Sequence, residues 1–544
     1  MLNSSSSTGA LQDISPTHRV VVAFAFLTIF GIWPALTNGQ PFFYADTSAY
    51  IRGADLAISK ALGARFATDW AKDPRRSINA PNVEHSSQAE DNAPKPAQHA
   101  VLAGRSIIYG VLLYLGEISR GMWLSILVQS LIANFLIFVF VIRTLGLSFR
   151  HFLVCSVVIC VVSPLAFFNS YLMPDVFAGF LILGFTLLAT GWQRLKLFER
   201  VAVSAVILVA VLVHFSHLIL LFALTTLTLG YVVLAQHSWR KAIRPVATVA
   251  AICIAVGILW EETFSFAVGR AVGSPPIRPP FVMAKLVSML GQPAVAKVCE
   301  SNHFAVCDFL DRFPIDGKTF LWSSDEHIGV FNMSDVQTKR LLSDEQVRFA
   351  LAIVPPNVGR VVVGISRDTL RQLAHINLDE YAYTPLGLQF YRERMPDPDF
   401  ATLADSLAAR SDIYQIFGRE FLNVTAMVAA IFVTLLLGAV VCGPAAPDDA
   451  KDLERNWSTT TWILLVGVVL NAAICGGFSD INNRYEARVI WLVQLSCISG
   501  VCALAQPTQI ARWKRLVSNY SSAHSESQYD RDSELEPPVF SLKD

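Results

Sequence analysis

The chain has 544 residues, of which 53% are hydrophobic and 16% charged, a composition too apolar for one water-soluble core to absorb. Its formal net charge is zero, so nothing in the balance argues for nucleic acid or for a strongly acidic partner. The apolar residues cluster in runs of roughly 17–25, the length a helix needs to cross about 30 Å of hydrocarbon, so an all-α polytopic membrane protein is expected.

In chain order, a Ser-containing segment over 1–19 precedes an apolar run at 20–37 with no small-residue cleavage site behind it, which reads as a retained helix and not a removed signal peptide. Further spans are expected near 122–142, 152–169, 172–191, 200–214, 217–235, 247–267, 421–442, 459–478 and 488–505, about ten in all. The stretch 200–235 is broken only at His214-Phe215-Ser216-His217, which suits two helices joined by a tight turn better than one overlong helix.

Basic residues set the expected orientation, because Lys and Arg accumulate in short cytoplasmic loops. Arg143 and Arg150, then Arg194, Lys196 and Arg200, then Arg240, Lys241 and Arg244, then Lys451 and Arg455, and lastly Arg512, Lys514 and Arg515 fall in alternate connections, while the turns near Ser170 and Phe215 carry none. Both termini are thereby expected in the cytoplasm, with the segments 38–121 and 268–420 on the opposite side. The organisation that follows is a cytoplasmic N-terminus (1–19), a membrane module (20–267) with a first outer loop (38–121), an extracytoplasmic loop domain (268–420), C-terminal spans (421–505) and a charged, disordered cytoplasmic tail (506–544).

Within the first outer loop, a polar stretch from Lys72 to Gln98 leads into a short segment from Gly104 to Leu115 that mixes Arg, Tyr and aliphatic residues, the pattern of an interfacial helix lying along the membrane surface. In the second, helical spacing at Val361, Ile365, Thr369 and Leu373 predicts a packed helix face. Cys299 and Cys307 alone among the cysteines lie in a polar segment, and an oxidising compartment would pair them as a disulfide.

Four short motifs carry candidate chemistry. Asp46, in Pro41-Phe42-Phe43-Tyr44-Ala45-Asp46-Thr47-Ser48-Ala49-Tyr50, is a carboxylate among aromatics at the membrane surface, suited to general-base work; it fits the N-cap of a helix running through Tyr50 equally well. Asp175 follows Pro174 at the start of a span, where helix-opening preferences explain both residues, yet it is expected on the same surface as Asp46. His214 and His217, three apart, have no acidic or cysteine partner nearby in sequence, so hydrogen bonding to a polar ligand, or simple anchoring at the interface, fits them better than metal binding. Arg484 and Arg488, four apart around Tyr485, share a helix face and stand as cations on the side that short loops usually keep poor in them. Guanidinium groups grip phosphates with forked donors, so an anionic lipid or lipid-linked phosphate is one partner for them, and an Asp or Glu pinning the helix end is the other.

Together, the Tyr44-x-Asp46-Thr47-x-x-Tyr50 setting after the first span, the Arg105-containing interfacial segment, Pro174-Asp175 at the outer end of the fourth span and the large outer loop after the seventh resemble the integral-membrane glycosyltransferases of the GT-C fold. The resemblance implies a GT-C-like module in a bacterial inner membrane and a polyprenyl-phosphate-linked sugar as donor. It makes Asp46 the catalytic base, with Arg105, Asp175, His214, His217, Arg484, Tyr485 and Arg488 at the substrate. The sequence departs from the pattern in following Asp46 with Thr47, leaving Asp55 as the next carboxylate, so a metal-bridging carboxylate pair is unsupported, no metal ligand is assigned and any divalent cofactor stays open. The acceptor stays open as well.

Two other classes compete. A transporter or flippase would place ionisable residues near the bilayer midplane in repeated halves, whereas here they cluster at one surface and no repeat is visible. A non-catalytic envelope protein would use 268–420 to hold a partner.

Overall fold

The computed structural model describes residues 16–72, 101–102, 105–119, 121–234, 240–378, 382–411 and 448–504. The expected span at 421–442, most of the polar stretch 72–98 and the tail from 506 lie outside the described residues. Within them the chain is helical, with no strand and only two isolated bridges, Phe42 to Tyr171 and Leu102 to Ile277.

Helices α1 (Pro16–Phe30), α2 (Trp33–Asn38), α3 (Thr47–Leu62) and α4 (Asp69–Lys72) precede α5 (Ile107–Ile118). A bundle follows: α6 (Trp123–Phe138) with a π-helical turn Val139–Thr144, α7 (Phe149–Val162), α8 (Leu165–Asn169), α9 (Val176–Gly191), α10 (Leu197–Val213), α11 (Phe215–Leu234) and α12 (Arg240–Val272). Shorter helices come next: α13 (Phe281–Leu290), α14 (Gln292–Cys299), α15 (Gly317–Trp322), α16 (Val336–Ile353), α17 (Val358–Ala374), α18 (Pro385–Arg394), α19 (Asp397–Ala404) and α20 (Leu407–Arg410). The last two are α21 (Asp448–Phe478) and α22 (Asn483–Leu504).

Among the described residues five helices are long and apolar enough to cross a membrane: Trp123–Thr144, Phe215–Leu234, Ile243–Val272, Trp457–Phe478 and Asn483–Ala503. The bent pairs Phe281–Cys299 and Val336–Ala374 would raise the number to seven. Several expected spans are shorter than the apolar runs suggested, for local reasons. Pro164 pushes Ser163 into extended backbone (φ −135°, ψ 165°), so the run at 152–169 divides into α7 and α8. The break foreseen before Phe215 is present, with His214 extended (φ −157°, ψ 126°) between α10 and α11.

Helix α9 is the axis of the bundle. Its residues from Val176 to Leu188 are all buried, as an all-round apolar helix requires, and α10, α21 and α22 pack against it. Small residues set these crossings. A Cβ at Gly179 would lie 2.6 Å from the Trp491 indole nitrogen, and one at Gly467 would lie 2.4 Å from Ile182. Trp491 is wholly buried and donates to the Arg488 carbonyl at 3.0 Å. Gly179→Val is therefore expected to overpack the α9–α22 contact and cost about 1–3 kcal/mol, read as a lower unfolding temperature in detergent; an unchanged value would mean that Trp491 yields freely.

The segment expected as one loop domain divides in two. Residues 277–361 build a core of their own around Val287, Phe320, Leu342 and Phe349, and Cys299 and Cys307 are joined there as a disulfide with Cα atoms 5.8 Å apart. Residues 376–408 belong instead to the bundle core: the Tyr383 hydroxyl accepts from the Phe43 amide at 2.8 Å, and the Ala408 amide donates to Asn38 Oδ1 at 2.8 Å. Helix α17 packs along α21, and the expected spacing lies on its inward side: Val361 is buried and Ile365, Thr369 and Leu373 are half-buried, with Gly364, Asp368 and Gln372 completing the buried face. Two contacts hold this face: Gly364 admits Met289, and Asp368 forms a buried ion pair with Lys285 of α13 at 2.9 Å.

Helix α5 lies along α3, and its C-terminal end collects carboxylates. Burial first, then the charges of Asp399, Asp69 and Asp55, push the Glu117 carboxyl up to about 7; burial and Asp69 push Asp399 up to about 6. An unfolded chain releases these protons near pH 4. Between there and about pH 7 the folded protein binds more protons than the unfolded one, so its stability falls as pH rises. The unfolding temperature is expected to drop across that window, and Glu117→Gln to flatten the drop; an identical slope in the variant would assign the effect to other groups.

Candidate functional site

A single parallel bridge brings the site's two acidic segments together. The Phe42 amide donates to the Ser170 carbonyl and the Leu172 amide to the Phe42 carbonyl, each at 2.9 Å. Thr47 Oγ1 reinforces the join, donating to Leu172 at 3.0 Å while accepting the Tyr44 amide at 2.9 Å. From below, Gln129 of α6 donates to the carbonyls of Asn169 and Tyr171 at 2.9 and 3.0 Å and accepts the Tyr109 hydroxyl at 2.9 Å. The turn before α9 thus has buried backbone acceptors satisfied within the protein, as its burial demands.

Asp46 occupies the N-cap position of α3, but its side chain makes no capping bond. It turns to Arg105, whose Nη2 lies 2.5 Å from Asp46 Oδ1, and both side chains are only partly exposed. Arg105 stands just ahead of α5, and Ser106 anchors that helix start twice, accepting the Ile108 amide at 3.2 Å and donating to the Leu212 carbonyl of α10 at 2.7 Å. Helices α3 and α5 approach closely at Gly110, where a Cβ would come within 2.2 Å of the Tyr50 carbonyl, and Tyr50 meets Tyr109 edge to face at 5.2 Å.

A second ion cluster lies at the start of α22. Arg488 is 2% exposed and reaches Asp175 Oδ1 at 3.3 Å and Asn471 Oδ1 at 3.0 Å; Asn471 in turn donates to the Tyr485 carbonyl at 2.6 Å. Arg484 approaches Asp175 Oδ2 only to 3.9 Å, beyond hydrogen-bond range. Its guanidinium is stacked 4.3 Å from the Tyr44 ring and 5.2 Å from Tyr485, and its Nε and Nη1 are buried without a hydrogen-bond acceptor among the described residues.

The histidines close the group. His217 Nδ1 lies 2.8 Å from the Ala210 carbonyl, which fixes the proton on that nitrogen and leaves the buried Nε2 as an acceptor. His214 Nδ1 lies 2.8 Å from Ser216 Oγ, and the two imidazoles are 5.1 Å apart.

The clusters share one electrostatic neighbourhood: Tyr50 lies in the field of Arg105, Asp46, Asp175 and Arg484, and His214 in that of Arg488, Arg105 and Arg484. Every residue singled out in the sequence for this surface is therefore found at one end of the bundle, with Tyr485 beneath both guanidinium groups. The other end carries Arg143, paired with Glu199 at 2.8 Å, and Arg194, donating to the Thr144 carbonyl at 2.9 Å. A shallow cavity of about 450 Å³ lies apart from the site, at the end of α12 between Glu262 and Pro275.

Asp55 takes no part in the site. Its carboxylate is consumed by the Thr68 and Ala71 amides and by Thr68 Oγ1 at 2.6 Å. Among the described residues no group of three His, Cys, Asp or Glu side chains is arranged to hold a metal ion. Sequence reasoning used Tyr44 only as part of the motif around Asp46 and passed over Asn471. The signal for Asn471 was available, since an amide inside the apolar run at 459–478 must face a partner within the protein.

Comparison with family models, curated proteins and solved structures finds no match to this chain.

Proposed function

We propose that this protein is an integral-membrane glycosyltransferase of the GT-C type, moving a sugar from a polyprenyl-phosphate-linked donor to an acceptor hydroxyl. In this reading the Asp46 end of the bundle is the extracytoplasmic face of a bacterial inner membrane, about ten spans bring both termini to the cytoplasm, and 268–420 stands on the outer side.

The observation that carries the proposal is the pairing of a carboxylate released from capping, Asp46, with a nearby buried guanidinium short of acceptors, Arg484. The acceptor hydroxyl attacks the anomeric carbon and gives its proton to Asp46 Oδ2, the oxygen that Arg105 leaves open. The bond from that carbon to the phosphate oxygen breaks, and the electron pair leaves with the phosphate. Arg484 supplies donors to this growing charge in a site already poor in water. Arg105 holds the carboxylate in place, and His217 Nε2 offers an acceptor to a sugar hydroxyl.

The test is transfer of label from a panel of synthetic polyprenyl-phosphate sugars by the full-length protein in membranes, wild type against Asp46→Asn. Product from the wild type alone supports the reading; equal product from both removes Asp46 from the mechanism. A transporter or flippase is the second reading. The broken helix pairs, bent by 115° at Leu290–Gln292 and by 52° near Pro355, favour it. Substrate movement across sealed vesicles without any covalent product would decide for it.

A further inference from the structure

We infer that the outer face of α16 and α17 is seated in a lipid bilayer, with the acyl chains as its partner and anionic headgroups along its edge. Val347 and Leu351 on α16, then Val358, Val362, Val363 and Leu370 on α17, are 52–71% exposed and follow one another at helical intervals across the bend at Pro355. Isolated exposed aliphatics are ordinary, but six on one side of a bent helix pair, with the exposed Ser366 as the polar residue among them, mark a binding surface.

Three observations name the occupant. The two helices taken together pass the length and apolarity test of a broken membrane span. The opposite face of α17 packs on α21, itself apolar enough to span: a Cβ at Gly476 would meet the Asp368 carbonyl at 2.8 Å, and one at Gly477 would meet Ile365 at 3.0 Å. Helix α21 has an exposed apolar surface of its own in Trp462, Val469 and Phe478, each about half exposed. Finally, Arg348, Arg367 and Arg371 border the stripe, the arrangement that draws an amphipathic helix to anionic lipid.

This seating has a consequence for the site, though it stands independently of any catalytic reading. Gln372 at the end of α17 donates to the Asn482 carbonyl at 2.8 Å and accepts the Asn482 amide at 3.0 Å, and Asn482 Oδ1 accepts the Arg484 amide at 3.1 Å. Lipid held against α17 thus fixes the helix start that presents Arg484 and Arg488.

The experiment places a nitroxide at Val362→Cys, and separately at Leu351→Cys, in the full-length protein reconstituted into nanodiscs of phosphatidylethanolamine and phosphatidylglycerol. The free cysteines among the described residues are all buried, and labelled wild type gives the background. Both labels are expected to relax with dissolved oxygen and to be shielded from a water-soluble nickel chelate by at least about threefold relative to a label at the exposed Glu326→Cys. Relaxation by the chelate equal to that at Glu326→Cys overturns the proposal. Shielding from both agents, with spin–spin broadening that disappears on dilution with unlabelled protein, also overturns it, by making the stripe a contact between two copies of the chain.

Discussion

Asp46→Asn is expected to lower glycosyl transfer by about 10²–10⁴-fold, the usual worth of a positioned general base, while leaving the protein folded. The two halves of that expectation have separate origins. Asparagine keeps the size of the side chain and an oxygen for Arg105, so α3 and α5 retain their contact, but the amide cannot take a proton from an attacking hydroxyl. The ion pair it removes is partly exposed, at 30% and 21% for the two side chains, and such pairs contribute only about 0–1 kcal/mol. The unfolding temperature should barely move. Activity lost together with the fold would report a structural role; activity retained in a folded variant would end the case for Asp46 as base. Donor KM should change far less than kcat, because in the proposed mechanism Arg484 and not Asp46 holds the phosphate.

How much of this was legible in the sequence depends on which contacts decide each feature. Apolar runs and the His214 break foretold most of the bundle helices, since a run's length and a polar interruption act locally. The division of 152–169 at Pro164 was equally local and was passed over, because the apolar run continues on both sides of it. Asp46 shows where local reasoning ends. A carboxylate opening a helix looks the same whether it caps or reaches outward, and Arg105, far along the chain, makes the difference. The face of α17 was legible in part: the spacing at Val361, Ile365, Thr369 and Leu373 marks its inward side, while Gly364 and Asp368, which complete it, are a glycine and an aspartate that an apolar periodicity count omits. Asn471 sits at the boundary, for its place in an apolar run announces a partner without naming Arg488.

Arg488→Met is expected to be the most destabilising single change at the site, at about 3–5 kcal/mol, because removing one partner of a buried pair strands the other. Asp175 is 4% exposed, and Arg488 is its nearest cation. Asn471 Oδ1 loses its charged donor in the same step and keeps the weak Cys475 thiol at 3.9 Å. Methionine fills much of the arginine's volume, so the cost is electrostatic and not a cavity. Arg484, already 3.9 Å from the other Asp175 oxygen, offers relief by closing that gap, but doing so pulls it off the Tyr44 ring. The double variant Arg488→Met, Asp175→Asn separates these terms. With no stranded charge left, it should recover at least about 1–2 kcal/mol of the single variant's loss, a coupling within the range for contacting residues, measured by denaturant unfolding in mixed micelles. Strictly additive losses would mean that Asp175 draws its neutralising charge from Arg484 alone, and the ion cluster would then centre on the residue proposed to hold the phosphate.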